Sequence, residues 1–156
     1  MSTKSTLVLT VMLAGVLLGP QAVMAQATAD VELQKQAVFA LAQQDNAQSV
    51  SVLVDLAQTH ANPEVRKQAI FWLGQKGGDE VASFFEEILA SEADLDVQEQ
   101  VVFAISQLPD DESVPLLIDL AKQHENQEIR KKAVFWLGQT QDPRAATALL
   151  EIVKGQ

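Results

Sequence analysis

Residues 62–75 read Asn-Pro-Glu-Val-Arg-Lys-Gln-Ala-Ile-Phe-Trp-Leu-Gly-Gln, and this stretch predicts an amphipathic helix. Asn62 is a typical N-cap, Pro63 suits the first helical position, and Glu64 places a negative charge beside the positive end of the helix dipole. Apolar side chains then recur every four residues, at Val65, Ala69 and Leu73. This spacing puts them on one side of the helix, which the fold has to bury.

The phenylalanine of this stretch marks a repeat that covers most of the chain. It recurs at a constant step of 32 residues, at Phe39, Phe71, Phe103 and Phe135. The position six residues before each phenylalanine is always apolar, and holds Leu33, Val65, Val97 and Ile129. A short fixed period is typical of stacked supersecondary units, in which each repeat buries its apolar side against the next.

Two neighbouring repeats form a larger unit of 64 residues. Residues 126–139 repeat most of residues 62–75. The residue after the repeat phenylalanine alternates along the chain between alanine and tryptophan, as Ala40, Trp72, Ala104 and Trp136. A duplication of a two-repeat block explains this pattern.

The second half of each repeat also has helical spacing, for example at Leu53, Leu56 and Ala57. An acidic residue in every copy indicates the solvated side of this helix, at Asp55, Glu87, Asp119 and Glu151. Turn-forming residues separate the segments. The sequence therefore predicts an all-α solenoid of about eight helices in four 32-residue repeats, near residues 30–43, 47–60, 63–76, 79–91, 95–108, 111–124, 127–139 and 143–154.

Composition narrows the possible functions. The chain has 156 residues, of which 47% are hydrophobic, so it can bury a core as one domain. Its net charge of −10 makes nucleic acid and anionic lipid surfaces poor partners. The absence of cysteine excludes disulfides, thiolate metal sites and a cysteine nucleophile.

The N-terminal residues resemble an export signal. Lys4 supplies a positive charge, residues 7–18 are mostly apolar, and Ala25 or Ala27 could end a small-residue cleavage site. An uncleaved anchor would need about 20 apolar residues, and this run is shorter. We therefore predict a signal peptide at residues 1–25 and a mature repeat domain at residues 26–156, periplasmic or secreted and without membrane insertion.

The repeated stretch resembles the second helix of a HEAT repeat. The resemblance rests on Pro63-Glu64-Val65-Arg66, the following alanine and Leu73-Gly74. More specifically, the stretch is similar to the short bacterial HEAT-like repeats that are also found in bilin lyase subunits. It covers about residues 30–155. It implies a superhelical scaffold or adaptor that binds a protein partner. HEAT repeats tend to carry an aspartate six residues before the arginine, where this chain has His60 and His124, so an Asp–Arg ladder is not expected.

Enzymatic alternatives have little support in the residues. A HEAT-like hydroxylase family binds two irons through His-Glu pairs, but the matching positions here are Lys67-Gln68 and Lys131-Lys132, which cannot bind iron. His124 lies at a predicted helix end, where it would interact with the last carbonyls. A lyase activity would rest on fold analogy alone. We therefore predict no enzyme activity, no cofactor and no metal site.

The candidate binding site lies on the second helices. On a helical wheel Phe71 falls far from the buried stripe and close to Lys67, and the resemblance implies that this sector faces the concave surface. The predicted partner-binding residues are Phe39, Phe71, Phe103, Phe135, Lys67, Lys131, Arg66, Arg130, Trp72 and Trp136.

Two interpretations of this face remain open from the sequence. The rings either offer an apolar ribbon to a partner or seal the seams between repeats, and the basic residues either recognise acidic groups or pair with neighbouring acids. The sequence predicts a protein-binding scaffold exported to the cell envelope, with an accessory subunit of a larger envelope complex as the alternative. Neither the partner nor the oligomeric state follows from it.

Overall fold

The computed structural model describes residues 20–44 and 46–155, so most of the predicted signal peptide, residues 1–19, lies outside the described residues. The described residues form eight α-helices and no strand. The helices are α1 Pro20–Ala42, α2 Ala47–Thr59, α3 Pro63–Lys76, α4 Asp79–Ser91, α5 Leu95–Ile105, α6 Asp110–Gln123, α7 Gln127–Leu137 and α8 Pro143–Lys154. The predicted all-α repeat fold is confirmed.

The helices lie in two layers. Helices α1, α3, α5 and α7 pack side by side in one layer, and the even-numbered helices form the other. Each of α2, α4 and α6 pairs with the helix that follows it, whereas α1 and α8 stand singly at the two ends of the stack. In each pair we call the even-numbered helix the first helix and the odd-numbered helix the second helix. The described residues therefore contain three complete pairs, with an unpaired helix at either end.

Local sequence signals set the helix ends. The side chains of Asn62, Asn126 and Asp142 each accept a hydrogen bond from a backbone N–H in the first turn of the following helix. Gly77 ends α3 with a φ of 65°, a conformation that glycine adopts without steric strain. The described part of α1 reaches back to Pro20, well before the predicted start near residue 30, because no helix breaker lies between Pro20 and Ala42.

The apolar stripes build one continuous core. Val65, Val97 and Ile129 are each at most 1% exposed, and Leu73 is completely buried. They lie between a second helix and the first helix that precedes it. The opposite layer contributes Leu53, Phe85 and Leu117. Asp55, Glu87 and Asp119 are exposed on the outer side of that layer, as predicted.

The first copy of the stripe is the exception. Leu33 was expected to be buried like its equivalents, but its side chain is 70% exposed. Ala37 is also exposed, and Leu41 is only partly buried. The prediction is wrong at these positions because no helix precedes α1 in the described part of the chain, so this side of α1 has nothing to pack against.

We expect Leu73→Ala to lower the free energy of unfolding by about 2–5 kcal/mol, because it opens a cavity between two packed helices. Leu33→Ala removes the same atoms from the start of the corresponding stripe on α1, where they touch solvent, and should change the free energy by no more than about 0.5 kcal/mol. Urea melts at low protein concentration compare the two variants. Equal losses would contradict the assignment of buried and open stripes.

Candidate protein-binding face

The odd-numbered helices present one continuous face. Helix α3 packs between α1 and α5, and α5 packs between α3 and α7. On each of these helices the repeat phenylalanine lies outside the buried stripe, at the same turn. The 32-residue register therefore brings the four phenylalanines onto one side of the layer. We call this surface the ribbon face; it comprises Phe39, Phe71, Trp72, Phe103, Phe135 and Trp136.

The rings of the ribbon face are in contact from one end to the other. The centroid of Phe39 lies 5.2 Å from that of Trp72, which lies 4.9 Å from Phe71. Phe71 stacks on Phe103 at 6.2 Å with an angle of 4° between the ring planes. Phe103 then reaches Trp136 at 5.5 Å, and Trp136 reaches Phe135 at 5.0 Å. These separations are those of favourable aromatic pairs.

The ribbon both seals seams and offers open apolar surface. Trp72 and Trp136 are partly buried and pack against the core. Phe71 and Phe103 are half-buried, whereas Phe39 is 41% and Phe135 is 55% exposed. The two interpretations that the sequence left open therefore describe different parts of the same set of rings.

A small-residue contact sets the spacing at the centre of the ribbon. A Cβ atom placed on Gly74 of α3 would lie 2.9 Å from both the Cβ and the carbonyl oxygen of Ala104 on α5. Such a separation leaves no room for any side chain at residue 74. The two helices approach closely at this point, and the rings of Phe71 and Phe103 lie parallel and offset beside it.

Charged side chains border the rings in pairs. Glu32, Glu64 and Glu128 each bind the lysine three residues later, with N–O distances of 2.7–3.0 Å. The hydrogen bond from Glu64 is the main cause of a raised pKa for Lys67, and the nearby carboxylates of Asp96 and Asp94 add to it. The third repeat has Glu99 in place of the lysine, and Glu99 binds Lys132 at 2.8 Å. The border is thus of mixed charge rather than a basic strip.

Three shallow depressions of about 270–370 Å³ follow one another along the ribbon face. Phenylalanine rings form the base of each depression, and lysine, acidic and glutamine side chains form its sides. Gln68 lines two of them, as does Gln100. Their amides can both donate and accept hydrogen bonds. The face can therefore bind apolar side chains while satisfying polar groups beside them.

Comparison with known families agrees with this architecture. The sequence matches the family model for HEAT repeats over residues 21–106 and 86–156. The chain belongs to the HEAT-repeat family. HEAT repeats are generally scaffolds for protein interactions. A comparison with curated proteins finds no match. None of the helices in residues 20–155 is both long and apolar enough to cross a membrane.

The HEAT arginines lie away from the ribbon, at the turns between helices. Arg66 donates from Nη1 to the carbonyl of His60 at 2.9 Å and from Nε to the carboxylate of Glu92 at 3.0 Å. The side chains of Arg66 and Glu92 are only 13% and 14% exposed. Arg130 likewise donates to the carbonyl of His124. The structure therefore places the two predicted arginines in loop contacts, apart from Lys67 and Lys131.

The residue that takes the place of the HEAT aspartate has a common role in three repeats. Nδ1 of His60 and of His124 each accepts a hydrogen bond from the backbone N–H two residues later, at 3.1 Å. Glu92 accepts the same bond at 2.8 Å through its carboxylate. His124 thus holds the turn rather than the last carbonyls of α6, which corrects the predicted contact. Residues 20–44 and 46–155 contain no group of three or more potential metal ligands.

Sequence reasoning overlooked Glu92 and Gln98 at these turns. The side chain of Gln98 donates to the carbonyl of Glu92 at 2.6 Å, as the arginines do in the neighbouring repeats. Aligning the repeats would have found both residues, since they lie at steps of 32 from His60 and Arg66. Their side-chain types differ from the HEAT pattern, so the pattern alone did not indicate them.

Proposed function

We propose that this protein is a non-enzymatic scaffold or adaptor that binds a protein partner along the ribbon face. The observation that carries the proposal is the unbroken contact of six aromatic rings, two of them 41% and 55% exposed, across four helices. Contiguous apolar surface with a polar border is typical of protein interaction sites, and aromatic side chains dominate their binding energy. The scaffold role of HEAT repeats in general supports the same function.

The chemistry of the face suggests the kind of partner segment that it accepts. The depressions repeat along the face, so a segment with apolar side chains at regular intervals would place one in each. The lysines already bind carboxylates. Exposed ion pairs of this kind contribute little free energy and can exchange partners, so flanking charges of either sign can be accommodated. A purely acidic partner would have to displace these carboxylates.

We further propose that the protein acts in the periplasm or outside the cell. The support is the pattern of Lys4, the apolar residues 7–18 and the small residues at Ala25 and Ala27. Partner binding would then take place in the cell envelope, where the repeat domain is free of its N-terminal signal.

Mass spectrometry of the protein isolated from the envelope fraction tests the export proposal. The expected N-terminus is Gln26 or Thr28, because a signal peptidase cleaves after a small residue that follows the apolar segment. An intact Met1 on protein recovered from that fraction would contradict it.

The ribbon proposal is tested with a double variant, Phe71→Gln and Phe103→Gln, used as bait against the envelope fraction of the source organism. The substitutions put smaller, polar side chains at these positions and remove the stacked pair at the centre of the face. We expect the yield of the partner that wild-type bait captures to fall at least about tenfold, since central aromatic residues carry much of an interface's energy. Circular dichroism should still show a helical protein with a cooperative melt.

Leu150→Gln is the matched control. Leu150 is 53% exposed on α8, in the other layer, so the substitution removes exposed apolar surface without touching the ribbon face. This variant should capture the partner as the wild type does. Undiminished capture by the double variant, or its unfolding, would show that the phenylalanines are packing residues and that the partner binds elsewhere.

A further inference from the structure

The strongly exposed large apolar side chains are confined to the ends of the stack. Within residues 20–44 and 46–155 they are Met24, Leu33 and Phe39 on α1, Phe135 on α7, and Leu150 and Val153 on α8. Val153 is 83% exposed. Burying such residues is the main favourable term in association. The two ends therefore offer separate apolar surfaces, one on α1 and one on α7 and α8.

The interior of the stack contains a junction made from equivalents of these two surfaces. With a 64-residue period, α3 corresponds to α7, α4 to α8, and α5 to α1. Val97 on α5 is completely buried, while its equivalent Leu33 is 70% exposed. Leu89 on α4 is 8% exposed, against 83% for its equivalent Val153. Each end thus carries one half of an interface that the chain already forms once between its two blocks.

We propose that copies of this chain associate head to tail, with α1 of one copy packing against α7 and α8 of the preceding copy. Helix α8 would then pair with α1 of the next copy, as α2, α4 and α6 pair with α3, α5 and α7 inside the chain. The stack would continue across the junction with the same register as inside the chain. The occupant of both end surfaces is therefore a second copy.

The residues at the central contact match on both sides of the proposed junction. Phe71 stacks on Phe103 inside the chain, and their equivalents are Phe135 and Phe39 of the next copy. The close contact of Gly74 with Ala104 has as its equivalents Gly138 and Ala40, which are again a glycine and an alanine. The close approach that the interior junction requires is thus available at the ends.

Charges at the two ends are also complementary. Lys122 on α6 binds Glu151 on α8 at 2.5 Å inside the chain. A shift of one repeat moves Lys122 to Lys154 and moves Glu151 across the junction to Asp55 of the next copy. Both of these residues are exposed in the single chain. In the same way Lys67 lies near Asp94 and Asp96. Its equivalent Lys131 would face Asp30 and Glu32 of the next copy, so charge favours this order of ends.

A contact between two different surfaces of the same molecule leaves one surface free at each end. Such head-to-tail contacts produce open chains unless the rotation per copy closes a ring. The ribbon face would run on across each junction, from Phe135 to Phe39 of the next copy. The net charge of −10 on each copy opposes association through electrostatic repulsion. Association should therefore be measured in the presence of salt, which screens this repulsion.

Sedimentation velocity of the exported protein, purified with its mature N-terminus, from about 1 μM to about 1 mM in about 0.15 M salt, tests the proposal. The wild type should form species larger than a monomer as concentration rises. Leu33→Glu and Val153→Glu should each remain monomeric over at least a tenfold higher range, because each would bury a charge at the junction. An equimolar mixture of the two variants has one intact surface of each kind, and should form a dimer that grows no further.

Leu150→Glu is the control on the same helix. Its interior equivalent is Glu86, an exposed glutamate, so the junction tolerates this charge and the variant should associate as the wild type does. A wild type that stays monomeric throughout would overturn the proposal. So would a mixture of Leu33→Glu and Val153→Glu that fails to dimerise, or association that only one of these two substitutions disrupts, which would indicate a symmetric contact through one end.

Discussion

The close packing of α3 against α5 is the contact on which the rest of the structure depends. Gly74 has no side chain, and a Cβ atom there would lie 2.9 Å from Ala104. Because the two backbones come this close, Phe71 and Phe103 lie parallel to each other beside the contact. The free energy of such a stack resides largely in contacts between neighbouring units, so the central junction holds the two 64-residue blocks together.

The ribbon face follows from this packing. The buried stripes use one side of α3, α5 and α7, and the contact with the next odd-numbered helix uses a second side. The phenylalanines lie on what remains, where the register lines them up. A binding surface of this kind is built by the repeat itself, and no loop has to be specialised for it. The same repetition makes the two ends of the stack similar to its interior, except that within residues 20–44 and 46–155 no further helix covers them.

Much of the fold could be predicted from the sequence, because the constant step from Phe39 to Phe135 fixes both the period and the helix positions. The exposure of Leu33 could not, since it depends on whether another helix covers α1. Local spacing placed Lys67 and Phe71 on one side of α3 correctly. The position of Arg66 depends instead on the path of the preceding turn, where backbone carbonyls and Glu92 compete for its guanidinium.

The most direct test of the central contact compares the free energies of unfolding of Gly74→Leu and Gly138→Leu at low protein concentration. Both are glycines at the same repeat position, but among the described residues only Gly74 has another helix within 4 Å of the added Cβ atom. Gly74→Leu should lose about 1–3 kcal/mol through overpacking. Gly138→Leu should lose less, because a Cβ atom there would meet only carbonyl oxygens of α7, at 3.3 Å and 3.7 Å. Similar effects for the two variants would contradict the dependence of the stack on close packing of α3 against α5.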